Sequence, residues 1–507
     1  MVVETNIKRK AKKADVALIV EGSYPFVRGG VAAWVHQLLN AFSEVSFALV
    51  FLGSNKKAYD KMLYELPKNV VNFDVCYLYE DETDEPFRRA KPFYLVKTLL
   101  DLLEKDKKGE SYADLNFFVN LDQHSKFLNA FANKKTWNFI IENYKKYCTE
   151  PSFVNYFWSV LNIEKPLWQM AKLAKDFIPV KFVHAVSTGF AGFFASLLNY
   201  YYGYHIVLTE HGIYTKERRI DLLNADVLLR QQEAQEFFYD INYLRLLWIR
   251  FFEFLARITY ARSDPIISLF PAASEKQVEE GAEKERTQVI FNGVNIKKLS
   301  TYRSKNFKAK DPNICLFGRI TPIKDVTTFI RAIKILTQHL PLIKGWILGP
   351  LIELDHQYFE ECKDLVATLD LSKNIFITPG FFSQDHIFPN IELMVLSSIS
   401  EGMPLTVLEG FAAGIPAVTT DVGACRDLIY GFDAEDKALG KAGEVVSIAD
   451  PEELADAILP LVQSKENWQK ARDVAIRRVE KYYDEEIMFT KYRDIYNQHS
   501  TSKQEET

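Results

Sequence analysis

An alternation of short apolar runs with segments of helical spacing limits this chain to a few folds. The first apolar run, VALIV at 16–20, leads into a turn that ends at Gly29 and Gly30. A segment with helical spacing follows at 31–42, and the next apolar run occupies 45–53. Continuous apolar runs are typical of strands buried on both faces of a parallel sheet. Strand, turn, helix and strand in succession therefore predict the start of a doubly wound α/β domain.

The alternation is interrupted in the first half of the chain and regular in the second. Residues of about 80–175 are first acidic and then helical and aromatic in pattern, which predicts a helical insertion. We interpret a basic, polar stretch at 297–312 as an interdomain hinge. The sequence thus predicts two doubly wound, Rossmann-like domains that face a cleft. The expected ranges are 1–305, 306–475, and 476–507 for a C-terminal helix that packs back on the first domain.

Composition and charge restrict the classes of function. The 507 residues carry a formal net charge of -5, and 25% of them are charged. A slightly acidic chain does not favour nucleic acid as its main partner, because neutralising phosphates requires a basic surface. The N-terminus lacks the apolar segment of a secretory signal, and no window of ~18 uncharged apolar residues predicts a membrane span. Five widely spaced cysteines fit a reducing compartment, so we expect a cytoplasmic protein.

Two carboxylates flank a predicted junction between a loop and a helix. Glu401 comes shortly after the apolar run MVLSS at 394–398, and Glu409 comes eight residues later. We expect the helix to begin near Pro404 or Leu405, so that the amides of its first turn, which includes Thr406, can bind a pyrophosphate. A carboxylate at 409 can accept two hydrogen bonds from the hydroxyls of a ribose or hexose. The alternative is an ordinary capping glutamate and a surface glutamate.

Two cations follow the first predicted strand of the second domain. Arg319 and Lys324 lie in the segment GRITPIKD, directly after the apolar run NICLF. Two positive charges at a strand end can neutralise a diphosphate leaving group where no metal ion supplies that charge. A basic loop on a solvated face is the alternative. It becomes less favoured when the glutamate pair in the same domain is considered together with these cations.

These motifs resemble the family-4 retaining glycosyltransferases, which have the GT-B fold. The resemblance rests on GRITPIKD and on two glutamates separated by seven residues, each motif after the expected strand. Three longer segments resemble the subgroup that acts on Pel exopolysaccharide, the PelF type. They are EGSYPFVRGGVAAWVHQLL, LTEHGIYTKERRIDL and EGMPLTVLEGFAAGIPAVTTDVGACRDLI. The resemblance covers nearly the whole chain, including the helical insertion.

The resemblance implies roles for the charged residues of the second domain. Arg319 and Lys324 would hold the pyrophosphate of the donor, with the first-turn amides beside them. Glu409 would bind the ribose, and Glu401 would hydrogen-bond the donor sugar. The donor implied is a UDP-sugar, of glucose or an N-acetylhexosamine.

The resemblance also implies roles for residues outside these motifs. Gly380 and Phe381 are where the pocket for the base is expected. Gly29 and Gly30 would form a loop of the first domain that approaches the phosphates. His211 resembles the histidine that faces the donor sugar.

The residue after this histidine departs from the family pattern. Many relatives have aspartate after the histidine, whereas Gly212 follows His211 here. Glu210 is the nearest substitute as an orienting carboxylate. Neighbouring residues of a strand point to opposite faces, however, which places Glu210 on the other side.

The expected mechanism needs no cofactor. A double displacement would require a carboxylate nucleophile near the anomeric carbon, and we identify none. The resemblance instead implies front-face transfer with retention, in which the leaving phosphate takes the proton of the acceptor. No cluster of histidines and cysteines has metal-ligand spacing, and no metal is expected.

The expected partners are a UDP-sugar, a growing polysaccharide and membrane-bound Pel synthase subunits, which would place the protein at the inner face of the plasma membrane. A catalytically weak GT-B scaffold subunit is the main alternative, and a phosphorylase or a nucleotide-sugar epimerase is another. The aromatic stretch at about 237–262 is expected to be a buried helix pair or a docking face. His184, at the end of a predicted strand, is expected to be a core residue.

Overall fold

The computed structural model describes residues 11–59, 61–80, 93–105, 131, 134–229, 242–303, 307 and 310–501. The chain divides into two compact units. The first unit consists of Met1–Ser268, Ser274–Gln288 and Arg493–Thr507, and the second consists of Leu269–Ala273 and Val289–Tyr492. Each unit is built around one parallel sheet, which confirms the prediction of two doubly wound α/β domains.

The sheet of the first unit has seven strands within the described residues, in the order β3-β2-β1-β4-β5-β6-β7. The strands β1 to β7 are Val16–Glu21, Phe47–Gly53, Val70–Tyr77, Phe182–Ala185, Ile206–Glu210, Ser263–Ser268 and Thr287–Val289. In the central strand β1, the five residues before Glu21 are all buried, because helices cover both faces of the sheet. Val16 pairs with Phe47 on one side and with Phe182 on the other.

Helices of the first half include the predicted insertion. The described α-helices before residue 289 are Gly30–Ala41, Phe93–Lys105, Lys134–Tyr147, Phe153–Lys175, Phe190–Tyr202, Tyr214–Leu229, Tyr243–Arg262 and Pro271–Glu279. The described part of 80–175 is helical apart from residue 80 and the short connection at 148–152, as predicted. The remainder of that stretch lies outside the described residues.

The aromatic helix Tyr243–Arg262 is a core element of the first unit. Its residues Leu247, Phe251 and Phe254 are fully buried, and the helix packs against Phe190–Tyr202. Among the two predicted alternatives, the structure therefore supports the buried helix over the range 243–262. Residues 237–241 lie outside the described part of the chain.

The second unit has a six-stranded sheet of the order β10-β9-β8-β11-β12-β13 among the described residues. The strands β8 to β13 are Asn313–Phe317, Lys344–Gly349, Ile375–Pro379, Leu393–Leu396, Ala417–Thr420 and Gly443–Val446. The described α-helices after residue 289 are Ile296–Leu299, Val326–Leu336, His356–Thr368, Gln384–Ile387, Leu405–Ala412, Cys425–Tyr430, Ala434–Lys437, Pro451–Gln463, Lys465–Tyr482 and Glu485–Thr501. The order reverses between β8 and β11, and ligands of such sheets bind at the carboxyl ends of strands at that reversal.

The structure divides the chain at places other than those predicted. The main segment of the second unit begins at Val289 rather than at 306. The helix Ile296–Leu299 overlaps the start of the predicted hinge, and its Ile296 and Leu299 are buried. The predicted C-terminal helix at 476–507 is also divided. Its residues up to Tyr492 belong to the second unit, and those from Arg493 belong to the first.

A buried arginine holds the helix Lys465–Tyr482 in the second unit. Arg478 and Asp436 are both fully buried, and the Arg478 Nε donates to Asp436 Oδ1 at 2.6 Å. The guanidinium also donates to the carbonyl oxygens of Leu428, Ile429 and Gly440. A buried charge is tolerated only when it is paired and its hydrogen bonds are satisfied, which is the case here.

His184 lies in the core of the first unit, as predicted. Its ring nitrogens lie 2.7 Å from the Tyr496 hydroxyl and 2.9 Å from the Thr209 hydroxyl. Within the described residues, no helix is both long enough and apolar enough to cross a bilayer.

Candidate active site

The loop after β8 in the second unit lies close against the end of β9. The Gly318 amide donates to the Leu348 carbonyl at 2.9 Å, and the Ile320 amide donates to the Pro350 carbonyl at 3.0 Å. A Cβ on Gly349 would lie only 1.8 Å from the Gly318 oxygen. This close backbone contact fixes the start of the loop that carries Arg319.

Arg319 projects from this loop and remains accessible. Its side chain is 45% exposed, and its Nε lies 3.8 Å from Asp355 Oδ2. Asp355 is held in turn by the Thr321 hydroxyl, which donates to Oδ1 at 3.1 Å. The guanidinium therefore has one loose ionic contact and can bind an anion.

Lys324 and Glu401 form an ion pair at the strand ends of the second unit. The ammonium of Lys324 donates to Glu401 Oε1, and the side chains are only 21% and 13% exposed. The Ser398 hydroxyl donates to the same carboxylate oxygen at 2.6 Å. The Ser397 hydroxyl lies 2.9 Å from the carbonyl oxygens of Lys324 and Asp325, so both loops are held together. The sequence predicted each charged residue separately but not this pairing.

The loop after Glu401 is shaped by a second close approach of two backbones. Gly423 has φ +53°, and a Cβ there would lie 2.1 Å from the Gly402 oxygen. The Ala424 amide donates to that same oxygen at 2.8 Å. The following helix begins at Leu405, as predicted, and Leu405 and Thr406 are half-buried in its first turn.

Glu409 lies one turn into the helix Leu405–Ala412 and is half-buried. Burial raises the pKa of its carboxyl to about 7, although a hydrogen bond from the Gln384 side chain and the positive charge of Lys298 oppose the shift. Sequence reasoning missed Gln384 and Lys298. Neither belongs to a motif, and both reach Glu409 only through the fold.

The loop predicted to form the base pocket follows β10. The Gly380 amide donates to the Gly349 carbonyl at 2.9 Å, and Gly380 has φ +150°, which favours glycine. The Phe381 side chain is 60% exposed. Gln384, which bonds Glu409, begins the short helix four residues after Gly380.

We refer to Arg319, Lys324, Glu401 and Glu409 together as the strand-end cluster.

The first unit has a cavity of about 540 Å³ at the carboxyl ends of its strands. Residues from the ends of β1, β2 and β5 line it, including Glu21, Gly53 and His211. His211 follows β5, and its ring packs edge-on against Trp34 with centroids 4.5 Å apart. Burial lowers the pKa of His211 to about 3, so its imidazole is neutral at pH 7.

Glu210 is not available as a partner for His211. Its Oε1 accepts from the Thr188 hydroxyl at 2.9 Å and from the Tyr214 amide at 3.0 Å. Its Oε2 accepts from the Tyr260 hydroxyl at 2.7 Å and from the Gln277 amide at 3.0 Å. Four hydrogen bonds occupy the carboxylate, so Glu210 joins elements of the core and leaves the orientation of the histidine to other residues.

Gly29 and Gly30 stand at the start of the first helix of this unit. Gly29 has an extended backbone with φ 173°, and a Cβ on either glycine would meet no atom within 4 Å. Neither glycine is therefore required by the packing around it. Among the described residues, no group of three or more histidine, cysteine, aspartate or glutamate side chains could hold a metal ion.

Comparison with known families decides to which one the chain belongs. Residues 14–285, more than half of the chain, match the family described as "Domain of unknown function (DUF3492)". The chain belongs to the DUF3492 family. Residues 300–479 of this DUF3492 protein match the family "Glycosyl transferases group 1". The strand-end cluster lies entirely within that second match.

Curated relatives match only part of this DUF3492 protein. The lipopolysaccharide core biosynthesis mannosyltransferase LpsB of Rhizobium meliloti is 26% identical over 38% of the chain and 56% of its own length. The poly(glycerol-phosphate) alpha-glucosyltransferase of Bacillus subtilis is 25% identical over 33% of the chain and 23% of its own length. The chain thus spans about half or less of these relatives.

Solved structures match the DUF3492 protein over nearly its whole length. HepE of Anabaena, in complex with UDP and glucose, has a TM-score of 0.57 at 13% identity and covers 96% of this chain and 100% of its own. Sucrose-phosphate synthase of Thermosynechococcus elongatus has a TM-score of 0.58 at 15% identity and covers 96% and 98%. At such low identity the likeness shows the fold, which is GT-B, as predicted.

Proposed function

We propose that this protein is a retaining glycosyltransferase that moves a sugar from a UDP-sugar onto a growing exopolysaccharide of Pel type. The observation that carries the proposal is the strand-end cluster. It places two cations, a paired carboxylate and a half-buried carboxylate at the strand ends of a group 1 glycosyl transferase domain. A nucleotide diphosphate and its sugar require that combination of groups.

The diphosphate of the donor would bind Arg319 and Lys324. Arg319 is the accessible cation, and its guanidinium can make two parallel hydrogen bonds to phosphate. Lys324 is held in place by Glu401, so its position is fixed before the ligand arrives. Positive charge fixed in advance stabilises the charge that develops on the leaving diphosphate.

The ribose would bind Glu409, and the transferred sugar would bind Glu401. An ionised carboxylate can accept two hydroxyl hydrogen bonds, which suits the 2′ and 3′ hydroxyls of ribose. Glu401 is already bonded to Lys324 and Ser398 through Oε1, which leaves its Oε2 for a sugar hydroxyl. The sugar would be glucose or an N-acetylhexosamine.

The choice of UDP rests on the resemblance of the motifs and on HepE, whose structure contains UDP and glucose. Gly380 and Phe381 are the proposed contacts of the uracil. Leu405 and Thr406 contribute first-turn amides to the phosphates. Gly29 and Gly30 keep their proposed role as a loop of the first unit that approaches phosphate.

We propose front-face transfer, with no covalent intermediate and no added metal ion. The bond between the anomeric carbon and the diphosphate oxygen breaks as the acceptor oxygen bonds to the same face of that carbon. The proton of the acceptor hydroxyl moves to the departing diphosphate. His211, whose imidazole carries no charge at pH 7, is proposed to hydrogen-bond the donor sugar. A trapped glycosyl-enzyme adduct, detected by mass spectrometry, would contradict this mechanism.

The stereochemical part of the proposal has its own test. Proton NMR of the first product formed from an α-linked UDP-sugar should show an α-anomeric proton. A β-anomeric product would show inversion instead of retention.

Membrane-bound Pel synthase subunits are the proposed partners. Co-purification from a membrane extract with the tagged full chain tests this part of the proposal.

A thermal-shift panel tests donor binding. UDP, GDP, ADP and several UDP-sugars are added to the full chain in EDTA. A ligand present at a hundredfold above its Kd adds about 2.7 kcal/mol to stability, which for units of this size is on the order of 5 °C or more. We expect a shift with uridine nucleotides, and loss of the shift in Glu409→Ala. No shift with any nucleotide would favour the alternative, a GT-B scaffold subunit with little activity of its own.

A further inference from the structure

The cavity of the first unit contains several polar atoms that no other group satisfies. The buried atoms Ser23 Oγ, Ser187 Oγ, His211 Nε2 and Arg218 Nε have no hydrogen-bond partner among the described residues, and all four residues line this cavity. Buried polar groups in native proteins are almost always paired with protein or water. Four such atoms around one space of about 540 Å³ indicate a site for a ligand rich in hydroxyl groups.

Because Gly212 has no side chain, the Glu217 carboxylate can extend into this cavity. A Cβ on Gly212 would lie 2.1 Å from Glu217 Oε1, so the carboxylate occupies the space that a side chain at 212 would need. Glu217 lies in the first turn of the helix Tyr214–Leu229, and its backbone amide bonds the Ile213 carbonyl. Glu217 lines the cavity together with His211.

The Glu217 carboxylate can accept hydrogen bonds from a ligand, whereas the Glu21 carboxylate of the same cavity is already bonded. Glu21 accepts from the Tyr214 hydroxyl at 2.6 Å and from the amides of the helix that begins at Phe190. Arg218 pairs with Asp221 through Nη2 at 2.9 Å, and its Nε has no hydrogen-bond partner among the described residues. Within the described part of the chain, the Glu217 carboxylate makes no hydrogen bond or ion pair with another side chain.

We propose that Glu217 selects the acceptor by charge: its carboxylate accepts hydrogen bonds from a neutral terminal sugar in this cavity and repels a terminal uronic acid. The inference rests on the proposed transferase function and adds a specificity residue to it. Burial raises the pKa of Glu217 to about 7, so the carboxylate is mostly ionised at pH 8. A fixed negative charge close to a carboxylate ligand is strongly unfavourable.

The test uses the full chain at pH 8 with two oligosaccharides that share their linkage and length. One ends in a neutral hexose and the other in the corresponding uronic acid. The wild type should use the neutral acceptor at least about tenfold better in kcat/KM. Glu217→Gln should raise KM for the neutral acceptor and reduce that preference to within about threefold, with kcat for the neutral acceptor nearly unchanged.

Two further variants separate this role from a structural one. Gly212→Ala keeps the carboxylate but displaces its end, and it should raise KM for the neutral acceptor as Glu217→Gln does. Glu275→Gln makes the same chemical change on an exposed part of the same unit. Its kcat/KM for each of the two acceptors should equal that of the wild type. An unchanged preference in Glu217→Gln, or a wild type that uses both acceptors equally, overturns the inference.

Failure of the proposed function would be recognised separately. UDP release from a UDP-sugar without acceptor reports on the donor site, so its absence in the wild type would count against the proposed function and not against the inference. If no donor is turned over, saturation-transfer NMR of the two oligosaccharides with the full chain still tests the cavity. The inference is supported if the wild type binds only the neutral oligosaccharide and the Glu217→Gln variant also binds the one that ends in a uronic acid. Equal binding, or no binding of either, contradicts it.

Discussion

The pKa of Glu409 predicts how donor affinity depends on pH. Burial raises the pKa of this carboxyl to about 7, so the free protein holds it partly protonated at neutral pH. Both oxygens of the ionised carboxylate accept, one for each ribose hydroxyl, whereas the protonated carboxyl presents one of its oxygens as an O–H donor. Donor affinity should therefore increase as the pH rises through 7 and decrease as the pH falls.

The magnitude follows from the fraction of ionised carboxylate. With a pKa of about 7, this fraction is about 9% at pH 6 and about 91% at pH 8. A ligand that requires the ionised form should thus bind about tenfold more tightly at pH 8 than at pH 6. Donor affinity increases with pH because the pKa of this carboxyl is raised in the free protein. At low pH, binding must therefore release a proton from the carboxyl.

Isothermal titration calorimetry with UDP-glucose at pH 6, 7 and 8 measures the effect. UDP-glucose is preferred to UDP because a terminal phosphate has a second pKa of about 6 and would itself titrate in this range. Glu409→Gln is the matched control, since it keeps the shape of the side chain and removes its ionisation.

Glu409→Gln should bind about 10- to 100-fold more weakly at pH 8, because a charge-assisted hydrogen bond is lost. Its affinity should also be nearly independent of pH. Any dependence that remains in this variant comes from groups other than Glu409. A wild-type affinity that is constant from pH 6 to 8, or equal slopes in both proteins, would refute the role of Glu409.

Three further predictions concern single residues of the second unit and a control in the first. Lys324→Ala leaves the Glu401 carboxylate unpaired next to the diphosphate, and should weaken UDP binding about 100-fold by calorimetry. Gly423→Ala forces a Cβ against the loop after Glu401 and should abolish the thermal shift with UDP. Gly203→Ala, also at positive φ but in open space, should cost only about 1 kcal/mol and leave the shift intact. Arg478→Met leaves a buried aspartate uncompensated, and should lower the free energy of unfolding by about 3–5 kcal/mol in urea.

The sequence predicts the fold through patterns that are local. The apolar run at 16–20 forms the central strand β1, and the helix after Glu401 begins at Leu405, as its proline and the preceding strand indicate. In both places the neighbouring residues in the chain determine the structure. Burial on both faces of the sheet then maintains the pattern.

The domain boundary could not be predicted in the same way. The stretch at 297–312 is basic and polar, which is typical of a hinge. Its first residues nevertheless belong to a short helix that starts at Ile296 and buries Ile296 and Leu299 in the second unit. One apolar residue just before a polar stretch and one within it give too weak a pattern to predict burial.

The sequence predicts the individual residues of the candidate site but not the contacts between them. Lys324 and Glu401 are far apart in the chain, and only the order of the strands brings them together. Gln384 reaches Glu409 in the same way, from a helix with no recognisable motif. Glu217 has the appearance of an ordinary residue in a charged helix. Its position depends on the absence of a side chain at Gly212, which becomes visible only in three dimensions.

The central claim is that the strand-end cluster binds a UDP-sugar for transfer. Release of UDP from a panel of nucleotide sugars, incubated with the full chain and a Pel oligosaccharide in EDTA, tests it most directly. We predict UDP release together with elongation of the oligosaccharide by one sugar, lost in Glu409→Ala and unchanged in Glu275→Gln. A folded wild type that releases no nucleotide from any of the sugars, or that releases it only after a metal ion is added, would contradict the account.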